Sequence, residues 1–136
     1  MPRVLIAFSD FTSGERAVRR LLGRHRDAGL DVELLAIVDP LTSGKVRIFV
    51  SRERAKAQAT QAAGRWLEAL GALLGKAGVA HRSRIATGTL RHILEGEGAR
   101  DDIDEVLLGV RGRDPLRGVR RRYVAHAMAR PLVSVS

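Results

Sequence analysis

The chain has 136 residues, enough for one continuous hydrophobic core, and its 24 basic against 15 acidic residues leave a net charge of +9. The absence of cysteine excludes disulfides, thiolate metal sites and cysteine nucleophiles, and it suits a reducing, cytoplasmic compartment. Aromatic residues make up only 4% of the chain, which provides poorly for stacking bases, so a nucleic-acid partner is not expected despite the charge.

Residues 4–8 (VLIAF) form an apolar run too short for a signal peptide, and no stretch approaches the length of a membrane span. That run and residues 32–38 (VELLAIV) carry β-branched residues almost without polar interruption, the pattern of interior strands covered on both faces. Between them Ala17, Val18, Leu21, Leu22 and His25 recur at helical spacing, with Thr12 or Ser13 as the candidate N-cap and Gly29 as the stop. Residues 39–50 are a long connection, of the kind that covers a site or a partner surface. From about Arg52 to Ala77 a longer helix places Ala59, Ala63, Trp66, Leu67, Leu70, Leu73 and Leu74 on one stripe, and Gly78 ends it.

Residues 79–86 alternate, with Arg82 and Arg84 opposite His81, Ser83 and Ile85, as expected of an edge strand. A short helix with Leu90, Ile93 and Leu94 inward follows, then an acidic turn from Glu95 to Glu105 that reads as solvated rather than as a cation site. Val106 to Val110 is the fourth strand, Val119 to Ala129 the last helix, and Leu132 to Ser136 a closing strand after Pro131. Strands alternating with helices predict a single α/β domain over residues 1–136, with a parallel sheet, right-handed crossovers and helices on both faces.

The most informative stretch is the glycine-bearing loop after the fourth strand. Gly109, Gly112 and Gly118 lie between that strand and a helix start, where backbone N–H groups are offered to an anion. Arg111, Arg113, Arg117, Arg120, Arg121 and Arg122 crowd the same loop. Two readings compete: a phosphate seat with Arg111 and Arg120 as partners, or glycines kept for tight turns and close helix packing. The four histidines show no metal-ligand spacing, and Ser9, Asp10 and Ser13 lack the GxSxG elbow of a serine nucleophile.

Four passages, VLIAFSDFTSGERAV, LLAIVDP, DEVLLGVRG and VAHAMARPLVSVS, together resemble the universal stress protein family over essentially the whole chain. The resemblance implies a three-layer, doubly wound α/β fold with a five-stranded parallel sheet of order 3-2-1-4-5. It also implies a homodimer paired through strand 132–136. One branch of that family binds ATP, with Mg²⁺, through GxxG, nine residues, then Gly and Ser or Thr. Here the first half is Gly109, Val110, Arg111 and Gly112, but only five residues separate Gly112 from Gly118, and Val119 stands in place of the hydroxyl. The family's strand-end aspartate falls on Ser9 by register or on Asp10 by local string. Its adenine contact at the second strand falls on the backbone of Ile37, and Ala7 and Leu108 line the same pocket by resemblance.

The expectation is therefore a binding or signalling module that takes an adenine nucleotide at the ends of the first and fourth strands, with at most slow hydrolysis. The alternatives are a nucleotide-independent interaction protein with an unidentified protein partner, and a polyanion binder acting through the arginines of residues 111–122.

Overall fold

The computed structural model describes residues 2–24, 29–39, 52–109 and 132–135, the last of these by backbone alone. The elements run β1 (Arg3–Phe8), α1 (Phe11–Arg24), β2 (Asp31–Val38), α2 (Arg52–Lys76), β3 (Ala80–Thr87), α3 (Leu90–Gly98), β4 (Glu105–Gly109) and β5 (Leu132–Val135). The strands are parallel in the order β3-β2-β1-β4, with Leu132–Val135 lying beside β4. The expected last helix over residues 119–129, all of the connection 39–50 beyond Asp39, His25 and His126 lie outside the described residues.

The sidedness follows from strand alternation. Val4, Ile6 and Phe8 of β1 join Val32, Leu34 and Ala36 of β2 beneath α1 and α2, whose stripe of Ala17, Val18, Leu21, Ala63, Leu67, Leu70 and Leu74 is buried against them. The alternate set, Leu5, Ala7, Leu35, Ile37, Val106 and Leu108, packs on the opposite face under Ile93 and Leu94 of α3 and Ile103. Both faces of the central strands are covered, so β1 and most of β2 are buried along their lengths, as continuous apolar runs require. At about 25 cal/mol per Å² of apolar surface, each such Leu or Ile contributes about 2 kcal/mol.

The start of α1 departs from the sequence reading. The cap of α1 is Asp10, not Thr12 or Ser13: the Ser13 backbone N–H donates to Asp10 Oδ1 at 2.9 Å, and the Ser13 hydroxyl donates to Asp10 Oδ2 at 2.8 Å. Because β1 ends at Phe8, the chain turns directly into the helix, which puts Ser13 at its third position. Gly78 does end α2, at φ +72°, while its N–H bonds the Gly75 carbonyl at 3.0 Å and the Val79 N–H bonds the Leu74 carbonyl at 2.9 Å. This pair of bonds is a Schellman motif, which needs a left-handed residue at that point. Thr89 caps α3 by accepting from the His92 N–H.

Candidate functional site

The carboxyl ends of β1 and β4 finish at one level, and β2 runs past them to Val38. Phe8 is in register with Ala36 on one side and Gly109 on the other, so Ser9 and Asp10 leave the sheet between two neighbouring strand ends. On the outer side of β2, Val38 is paired with Thr87, and its carbonyl accepts the Gly88 N–H at 3.0 Å, which fixes the start of α3 beside the same edge. The first turn of α1 therefore meets the end of β4, with Asp39 and the Thr89 cap on the far side of β1.

The approach of α1 to β4 is unusually close. A Cβ on Gly109 would stand 2.6 Å from the Ser13 carbonyl oxygen, and one on Gly14 would stand 2.8 Å from the Phe8 ring and 2.9 Å from Leu70. Both glycines let backbone or ring occupy the place of a side chain. Gly109 is thus explained by packing against α1, while the rest of the expected loop, Arg111, Gly112, Gly118, Val119 and Arg120, lies outside the described residues.

The described candidates divide by chemistry. Ala7, Ile37 and Leu108 converge in one apolar cluster and are buried at 3% exposure or less, so only their backbones are offered at the strand ends. Ser9 is exposed, and Asp10 is half-buried with its two oxygens engaged by Ser13. Ser13 is fully buried, its hydroxyl donated to Asp10, so the Ser–Asp pair is a helix cap whose serine is out of a substrate's reach. Among the described residues, no group of His, Asp and Glu is placed to hold a metal ion.

A second polar assembly, which sequence reasoning passed over, lies on the α3 face toward the amino ends of the strands. Glu33 sits within the apolar run of β2, its side chain only 5% exposed, and accepts from Arg84 Nε and Arg100 Nη1 at 3.1 Å each. Its second oxygen lies 2.9 Å from Arg100 Nη2, an ion-pair contact without hydrogen-bond alignment. Arg100 also holds Glu97 at 2.8 Å and Asp102 at 2.8 Å, Arg84 holds Glu97, and Arg3 bridges Asp102 and Asp31 at 2.9 Å each.

This corrects the reading of Glu95–Glu105 as a solvated acidic turn: α3 continues to Gly98, Glu97 is buried, and Asp104 accepts the Arg3 backbone N–H at 2.8 Å. Burial alone would raise the Glu33 carboxyl, but the hydrogen bonds and charges of Arg100 and Arg84 outweigh it and hold it below its usual value. Asp102 is likewise held low, chiefly by its hydrogen bonds from Arg100. Its partner Arg100 is pushed up, first by Asp102 and then by Glu33. The acidic residues that could have flagged this cluster were visible, but the arginines that neutralise Glu33 lie 51 and 67 residues away along the chain.

The fold and its strand-end edge define an open parallel α/β domain of the kind that binds ligands beyond the carboxyl ends of its strands. The model of the universal stress protein family matches residues 1–131, and the chain belongs to that family. Among solved structures, a universal stress protein family protein from Arabidopsis thaliana with AMP bound is 21% identical. The similarity covers 99% of this chain and 91% of that one at a TM-score of 0.68. The universal stress protein from Archaeoglobus fulgidus in complex with dAMP is 17% identical over 100% of this chain and 98% of that one, with a TM-score of 0.66. A universal stress protein in complex with cAMP is 18% identical over 99% and 97%, with a TM-score of 0.57. The comparison with curated proteins finds no match.

Proposed function

We propose that the chain is an adenine-nucleotide-binding module of the universal stress type, acting by occupancy rather than by turnover. The observation that carries this is the level finish of β1 and β4 beside the longer β2, with backbone from Ala7, Ile37, Leu108 and Gly109 presented at one edge beside Ser9 and Asp10. Relatives of the same fold hold AMP, dAMP and cAMP, which supports adenine as the shared element. In this reading the base meets the strand-end backbone near Ile37, and the phosphates meet the N–H groups of Gly112 and Gly118, the start of the helix at Val119, and Arg111 and Arg120.

A Mg²⁺ ion would enter with a triphosphate on its own phosphate oxygens, because the Asp10 carboxylate is already bonded twice by Ser13. The same reading takes residues 1–136 as one cytoplasmic domain. It takes 132–136 as the fifth strand of the sheet and the seam of a homodimer, since pairing covers an edge that would otherwise invite aggregation. A ligand that favours one arrangement of loop and dimer then acts as a stress-responsive switch.

The rival, a nucleotide-independent interaction protein, gains from one observation: the contact of Gly109 with Ser13 accounts for that glycine without any ligand. Calorimetric titration separates the two. AMP or ATP is expected to bind and GTP to bind more weakly, with the Arg111→Ala/Arg120→Ala variant losing about tenfold, or about 1.4 kcal/mol. No heat from AMP or ATP at about 1 mM overturns the nucleotide reading.

A further inference from the structure

We propose that the outer edge of β3, together with the groove between β3 and α2, receives an extended segment of a partner protein that carries carboxylates at alternate positions. Among the described residues β3 pairs with β2 alone, and Ala80 to Arg84 are exposed, so a row of backbone donors and acceptors faces outward. Such an edge accepts an added strand through main-chain bonds, and the pockets on either side of it set which side chains fit.

The two faces of β3 differ in what they offer. On the α2 side a groove of about 520 Å³ is lined by Gly64, Leu67, Gly71 and Ala72 of the helix and by His81 and Ser83 of the strand. The helix contributes little bulk there: a Cβ on Gly64 would meet nothing within 4 Å. Glu68 also borders this groove and disfavours a carboxylate entering it, so small apolar side chains suit this face. On the α3 side stand Arg82 and Arg84, with side chains 50% and 45% exposed. The carboxylates beneath them, Glu33 and Glu97, are 5% and 10% exposed, so the guanidiniums form the outer layer. Arg82 reaches Asp31 only at 3.4 Å, on an oxygen already held by Arg3 at 2.9 Å.

Directly opposed side chains of neighbouring strands lie about 5 Å apart, so acidic residues two apart on an incoming strand would face these arginines. A second copy of this chain fits badly, because antiparallel pairing centred on β3 sets guanidinium against guanidinium. The occupant is therefore an acidic–apolar–acidic segment in extended form.

A labelled octapeptide of alternating Glu and Val, followed by fluorescence anisotropy and by the amide spectrum of the full chain, tests this. The expected result is saturable binding that weakens with salt and shifts amides between Ala80 and Thr87. The same peptide with Lys for Glu should not bind. Arg82→Gln and Gly64→Leu, one at a half-exposed site and one filling open space, should each fold and lower affinity by about fivefold or more. Absence of binding at about 1 mM, binding that both variants leave unchanged, or sedimentation showing two copies joined through β3 overturns the proposal.

Discussion

A Cβ at Gly109 has no room, since the Ser13 carbonyl carbon and oxygen stand 2.9 and 2.6 Å from its position and belong to the first turn of α1. Backbone cannot rotate away as a side chain tip would, so α1 or β4 must shift. Gly109→Ala should lower stability by about 1–3 kcal/mol, as overpacking does, with no nucleotide present. Urea unfolding of the apo protein measures this, and an unchanged midpoint would show that the glycine is kept for a ligand instead. The sequence singled out Gly109 and could not assign its reason, because its packing partner lies far upstream. The cap of α1 was hard to read for a local reason. Ser9, Asp10, Thr12 and Ser13 are all competent to cap, and only the end of β1 at Phe8 selects Asp10.

At the scale of elements, α3 is held to the sheet in two ways. Ile93 and Leu94 bury apolar surface, and Glu97 shares Arg84 and Arg100 with Glu33 of β2. The second link depends on pH. Because the folded Glu33 carboxyl is depressed below its usual 4.5, its contribution is fully present above about that pH and is lost as pH falls through the lower folded value. Removing one member of such a buried pair costs about 3–5 kcal/mol, and the partial exposure of Arg84 and Arg100 points to the lower end. Glu33→Gln should therefore be less stable at pH 7 and lose less of its remaining stability between pH 5 and 3 than the parent, as followed by urea midpoints. Equal slopes for the two proteins over that range would contradict the assignment.

Strands and helices themselves were legible because burial writes a period into the chain. VLIAF and VELLAIV lack alternation because both faces are covered, and the stripe of α2 repeats at helical spacing. The ion-pair assembly was not legible, because Glu33 looks like a single interruption of an apolar strand until tertiary structure brings Arg84 and Arg100 to it.

Taken whole, the molecule separates its tasks by direction along the strands. The amino ends are tied by Arg3, Asp31, Asp102 and Asp104, and the carboxyl ends of β1, β2 and β4 open onto the edge where the nucleotide is proposed to sit. The family and the order of the central strands could be read from the sequence because the matching passages fall at strand ends. The ligand could not, since the residues expected to meet its phosphates, Arg111, Gly112, Gly118 and Arg120, lie outside the described residues. Titrating AMP into the isotopically labelled protein and following each amide tests the central claim most directly. The account predicts shifts concentrated at Phe8 to Asp10, Ile37 to Asp39 and Gly109, with Arg3, Asp31 and Glu33 at the opposite end unmoved. Shifts confined to the β3 edge, or none at about 1 mM AMP, would contradict it.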